Sequence, residues 1–166
     1  MEIALVVCRN PKNGKWLAIN DAKGQGWGFI AGLVDPPENF FDAGLREAKE
    51  EAGIDIEIKG ILRFEYNERE PNVSTHKMIM YAEPKDPDQE LKQEADNNSG
   101  KPLEETEEAR WLSIDELLKL KYGKPGWRGN GLYDWIRYIE KGGQIYPTSL
   151  FVPEGTPVKE EKSSSN

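Results

Sequence analysis

The chain has 166 residues, 37% of them hydrophobic and 31% charged, with a formal net charge of -8. That length suits one domain with a full core. The acidic balance argues against nucleic acid as a partner and against an anionic membrane surface, since both would call for a basic patch. An acidic protein that handles phosphates needs cations to bridge the repulsion.

The start "MEIALVVCRN" has no basic leader, and its apolar run is too short for a signal peptide or a membrane span. Cys8 is the single cysteine, so no disulfide can form within the chain. A buried thiol and a cytoplasmic, reducing location are the expectation.

Taken in chain order, residues 2–8 and 15–19 read as two strands joined by the turn "RNPKNG" as a hairpin. "GWGFIAG" (26–32) reads as one short strand, followed by the proline-broken loop "LVDPP". Asn39 is placed to cap a helix running to Ala52, with Asp42 as its capping-box partner. Leu45, Ala48 and Ala52 mark the apolar side of that helix, and its glutamates mark the other. Residues 54–67 and 76–84 read as strands, and 84–106 as a mobile polar loop. Residues 109–114 form a further strand. Ser113 caps a short helix to 121, and Leu132, Trp135, Ile136 and Ile139 predict a last helix over 130–142. The domain spans 1–152, and 153–166 has the composition of a disordered tail. Strands and helices mix without a regular βαβ rhythm, so the class is α+β.

The helix over "LREAKEEAG" breaks local rules. Glu47, Glu50 and Glu51 lie three and four residues apart, on one face. Like charges at that spacing destabilise a helix by about 0.2–0.5 kcal/mol per pair. Gly53 ends the helix, so the carboxylates also stand near the negative end of its dipole. Such a conflict points to function.

The surrounding stretch "GLVDPPENFFDAGLREAKEEAGI" runs from Gly32 to Ile54. It resembles the Nudix box in full: Gly32, five residues, Glu38, seven residues, Arg46 and Glu47, an aliphatic position filled by Ala48, then Glu50, Glu51, Gly53 and Ile54. Ala48 is smaller than the residue common there. The resemblance implies an α/β/α sandwich around a mixed sheet, with the box as loop, helix and loop. It implies hydrolysis of a diphosphate linked to another moiety, with Mg²⁺ or Mn²⁺ as cofactor. On that reading Glu47, Glu50 and Glu51 hold metal, together with a backbone carbonyl at Gly32. Arg46 orients the glutamates, Glu38 supports the box, and Glu50 or Glu51 takes part in catalysis. Hard cations want oxygen ligands, so they would relieve the like-charge conflict.

A general base outside the box would come from "EETEEARW", with Glu107 or Glu108 favoured over Glu104 and Glu105; a box glutamate could take the proton instead. The resemblance is nearest to the branch that cleans oxidised guanine nucleotides. It suggests Trp27, Phe29, Trp127, Arg128 and Asn130 as substrate-binding residues. Gly129 and Asn130 replace the paired aspartates that follow such a tryptophan in that branch. Trp127 also reads as a packing aromatic, and Asn130 as the cap of the last helix.

The expected partner is a small-molecule diphosphate, bound by a monomer or homodimer without nucleic acid or membrane. The substrate reads as a nucleoside diphosphate or triphosphate, with an oxidised purine nucleotide as one option. ADP-ribose or a sugar nucleotide is one alternative, and a non-catalytic nucleotide sensor or scaffold is another.

Overall fold

The computed structural model describes residues 1–20, 24–92 and 108–159. Strands β1 (Glu2–Cys8), β2 (Trp16–Asn20), β3 (Trp27–Gly28) and β4 (Ile30–Leu33) precede helix α1 (Phe40–Glu47). A π-helical turn, Ala48–Ala52, continues α1. Strands β5 (Ile56–Glu70), β6 (Val73–Pro84) and β7 (Glu108–Leu112) follow, then helices α2 (Ile114–Leu120) and α3 (Gly131–Glu140).

The strands form two sheets. One is mixed, in the order β4-β1-β6-β5, with β1 and β6 parallel. The other is antiparallel, in the order β3-β2-β7. Residues of β1 alternate between two cores. Ala4, Val6 and Cys8 face α1 and its π turn, where Phe40, Ala43, Ala48 and Ala52 pack. Val7 faces α2 and α3, where Leu117, Leu132 and Ile136 pack. Helices thus cover both faces, as an α/β/α sandwich requires. Cys8 is buried in its strand, and desolvation, with Glu83 nearby as the smaller cause, pushes its thiol pKa up.

Several expectations are corrected. The turn after β1 does reverse the chain, with Asn10 N–H donating to Lys15 O at 2.8 Å. Yet the two strands share no ladder beyond the bridge Arg9–Trp16 just after β1, and they part into different sheets. Both are buried on two faces, so each is flanked by other strands rather than forming a two-stranded ribbon. Residues 26–32 likewise form two strands in different sheets, broken at Phe29. Leu45 is exposed, and Phe40, Ala43 and Gly44 make the apolar face with the two alanines.

The first part of the polar stretch is tied down. Lys92 N–H donates to Ala52 O at 2.8 Å, and Asn10 Nδ2 donates to Pro87 O at 2.8 Å. The rest of that loop, 93–106, lies outside the described residues, as do Glu107 and the tail end 160–166. Residues 153–159 carry a single turn. Pro71 and Asn72 form the tip of the β5–β6 hairpin, with Asn72 at φ 71°.

Candidate active site

The capping box at the start of α1 forms as expected. Asn39 Oδ1 accepts from Phe41 and Asp42, and Asp42 reaches back to the Asn39 N–H. From this fixed start, Arg46 and Glu47 arrive at the last turn of α1. Gly53 ends the π turn at φ 73°, a left-handed conformation that glycine adopts at little cost, and donates to Lys49 O at 3.0 Å. The wider π turn carries Glu50 and Glu51, and such turns recur at functional sites.

Arg46 is the hub. It grips Glu38 with two bonds, Nε to Oε2 at 3.1 Å and Nη2 to Oε1 at 2.7 Å. Its Nη1 donates to Glu47 Oε1 at 2.5 Å and to Glu50 Oε2 at 3.2 Å. Its Nη2 also donates to Leu33 O at 2.8 Å. Glu38 accepts from the Asp35 N–H at 2.8 Å, which pins the loop before α1. The paired, forked geometry suits guanidinium and carboxylate. It holds the Glu38 carboxyl below its usual range, first through the Arg46 bonds and then through Asp35 N–H. The Arg46 pKa moves up for the reciprocal reason, with Glu38 the first cause and Glu47 the second.

Gly32 and Ala31 bring β4 against these carboxylates. A Cβ on Gly32 would collide with Glu47 Oε1, so only glycine leaves the Glu47 side chain its place. Ala31 N–H donates to Glu51 Oε2 at 3.2 Å. Glu47 is 13% exposed, whereas Glu50 is 58% exposed.

The profile of the NUDIX domain family matches residues 2–132. This chain belongs to the Nudix family. No match emerges among curated proteins. Among solved structures, the Nudix chain is similar to a NUDIX hydrolase from Nitrosomonas europaea, with a TM-score of 0.64 and 20% identity over 93% of this chain and 98% of that one. It is also similar to a pyrophosphohydrolase of Bacillus subtilis, with a TM-score of 0.57 and 22% identity over 86% of this chain and 83% of that one. At such identities the likeness is one of fold.

The donor set of this Nudix box fits a hard divalent cation. It offers three carboxylates and the carbonyls of β4, all oxygen. Among the described residues no three His, Cys, Asp or Glu side chains already converge on one point. Arg46 Nη1 instead bridges Glu47 and Glu50.

Beside the box lies a cavity of about 390 Å³. Ala31, Gly28 and Phe29 form one wall, Arg128, Gly131 and Trp135 another, and Leu5 and Ile79 lie on its floor. Ala31 therefore touches both the cavity and Glu51. Of the expected substrate-binding residues, Phe29 and Arg128 line this cavity.

Both tryptophans make packing contacts. Trp127 has Tyr133 stacked on it at 5.2 Å and Lys121 over its ring at 5.1 Å, and its Nε1 donates to Leu117 O at 2.8 Å. Trp27 is buried in the core with Arg110 over its ring at 5.0 Å. Asn130 is exposed at the cap position of α3, but its side chain makes no capping bond.

Glu108 lies on β7 and pairs with Arg110. Ala109, its neighbour, packs in the core cluster with Ala48 and Ala52. Alternation along the strand therefore turns Glu108 to the opposite face from the π turn. Trp135 was legible only as a helix-face residue, and no motif marked it as a cavity wall.

Proposed function

We propose that this Nudix chain hydrolyses the diphosphate linkage of a nucleoside diphosphate or triphosphate and releases a nucleoside monophosphate. The observation that carries it is Ala31, whose N–H holds Glu51 while its side chain borders the nucleoside-sized cavity. A substrate lying in that cavity would lay its phosphates along β4, over the carboxylates.

Glu47, Glu50 and Glu51, with the Gly32 carbonyl, would hold Mg²⁺ or Mn²⁺. When bound, such a cation would neutralise phosphate oxygens and ease loss of a proton from the attacking water at neutral pH. Arg46 keeps Glu47 and Glu50 in place through its bonds to both. Glu50 is the proton acceptor in this reading, because it is well exposed and its 3.2 Å bond to Arg46 is the longer of the two. Arg128 and Phe29 hold the nucleoside. An oxidised purine nucleotide is one substrate this reading includes.

The test is release of phosphate and nucleotide from dGDP, 8-oxo-dGDP, dGTP, 8-oxo-dGTP, ADP-ribose, NADH, diadenosine polyphosphates and coenzyme A, each with Mg²⁺, with Mn²⁺ and with chelator. Cation-dependent cleavage of the nucleoside diphosphates or triphosphates supports the proposal. Cleavage confined to ADP-ribose or a sugar nucleotide replaces it. Absence of cleavage throughout, with ligand-dependent stabilisation of the fold, points to a sensor.

A further inference from the structure

The floor of the cavity is a readable face of the mixed sheet. One row across the strands runs Ala31, Leu5, Ile79 and Arg63. The next row on the same face runs Leu33, Ile3, Lys77 and Glu65. Ile3, Lys77 and Glu65 line the cavity with Leu5 and Ile79. Glu65 stands on β5, three strand spacings from the β4 edge where Glu47 and Glu51 dock. At about 4.8 Å per spacing, that is roughly 14 Å. One end of the cavity therefore meets the phosphate chemistry, and the other ends in a carboxylate beside an ammonium.

An acid and a base directly opposite on neighbouring strands ordinarily pair with each other. Here they do not. Glu65 is held by Arg63 at 3.5 Å, and Arg63 in turn lies over the Trp135 ring at 4.7 Å. Lys77 is half-buried, and its ammonium has no hydrogen bond or ion pair among the described residues. The remaining lining between them is mostly apolar or aromatic: Ile3, Leu5, Ile79, Phe29 and Trp135. A flat ring fits between such walls. Its outer edge must then present an acceptor to Lys77 and donors to Glu65.

We infer that Glu65 and Lys77 read the base, and that the base is guanine. The inference rests on the reading above that this cavity takes a nucleotide. A carboxylate accepts from two parallel donors, and an ammonium donates to a carbonyl. Guanine offers that set along one edge: a carbonyl oxygen, a ring N–H and an exocyclic amino group. Adenine, cytosine and uracil each offer a single donor group on the matching edge. The second charge-assisted hydrogen bond that guanine makes to the carboxylate is then missing, which lowers affinity. Arg63 is a positioning residue, since it holds Glu65 and is braced by Trp135.

The experiment is calorimetric titration of GMP and AMP into the wild-type chain, Glu65→Gln and Lys77→Met. Monophosphates need no hydrolysis, so the result is independent of turnover. GMP should bind at least about tenfold tighter than AMP, because a site built to hydrogen-bond a group rejects an analogue that lacks it. Glu65→Gln should remove that preference with AMP affinity little changed, and Lys77→Met should weaken GMP. The Glu65 side chain is 42% exposed, so the fold does not depend on its charge. Equal affinities, a preference that survives Glu65→Gln, or no binding of either nucleotide at millimolar concentration would overturn the inference. Discrimination without turnover of any diphosphate would keep the inference and remove the hydrolase reading. Turnover without discrimination would do the reverse.

Discussion

Gly32 and Glu47 occupy one space: the Glu47 carboxylate lies where a side chain on Gly32 would stand. The first residue of the box is thus a steric condition for a carboxylate fifteen positions along the chain. Gly32→Ala would push against the far end of a flexible side chain rather than against backbone, so the fold can absorb it. The expected outcome is a melting temperature close to wild type with activity lowered by at least about 10²-fold, as for loss of one preorganised polar group. Paired melting curves and rate measurements check it. Equal losses in both would mean that Gly32 is needed for folding instead.

Arg46→Lys should be nearly as harmful as Arg46→Gln. Lysine keeps the charge but cannot make the forked bonds to Glu38 while bonding Glu47, Glu50 and Leu33. Rates for both variants should fall by at least about tenfold. A fully active lysine variant would show that charge alone suffices.

Glu50→Gln and Glu51→Gln should each lower the rate by about 10²-fold or more while leaving most of the fold intact. Chelator should abolish activity of the wild-type chain, and excess Mg²⁺ or Mn²⁺ should restore it. Full activity in either variant would remove that glutamate from the catalytic set.

Glu38 predicts a pH dependence. Arg46, and then the Asp35 N–H, hold its folded-state pKa below the ordinary value of 4.5. The unfolded chain therefore takes up the proton first. The stability that Glu38 contributes is fully present above pH 4.5 and is lost as pH falls through the lower folded value. Melting temperatures of wild type and Glu38→Gln, measured from neutral to acid pH, should converge below that point. A constant difference at all pH values would show that the pair contributes no such linkage.

Trp127 and Trp135 should separate cleanly. Trp127→Phe loses the bond to the Leu117 carbonyl in the last turn of α2 and should cost about 1 kcal/mol of stability, with KM unchanged. Trp135→Ala should raise KM, because it removes a cavity wall. The opposite assignment of effects would restore Trp127 as the base platform.

The sequence by itself determined the features whose physics is local. The Gly53 terminus, the capping box at Asn39 and the cap at Ser113 depend on neighbours a few residues away, and each formed as expected. The Arg46–Glu38 clamp is equally local, with partners eight residues apart within one box, but the sequence pointed only to a separate supporting part for each and not to the bond between them. Only the tertiary structure decided which strands pair, and therefore which side chains share a face. The turn after β1 did not fix its partner, because β1 and β2 are buried on both sides and could be satisfied by other strands. Glu65 and Lys77 meet through the register of a long hairpin, where a slip of one residue would turn each to the other face. Trp127 packs with its N–H on a helix carbonyl, a contact that no spacing in the chain announces.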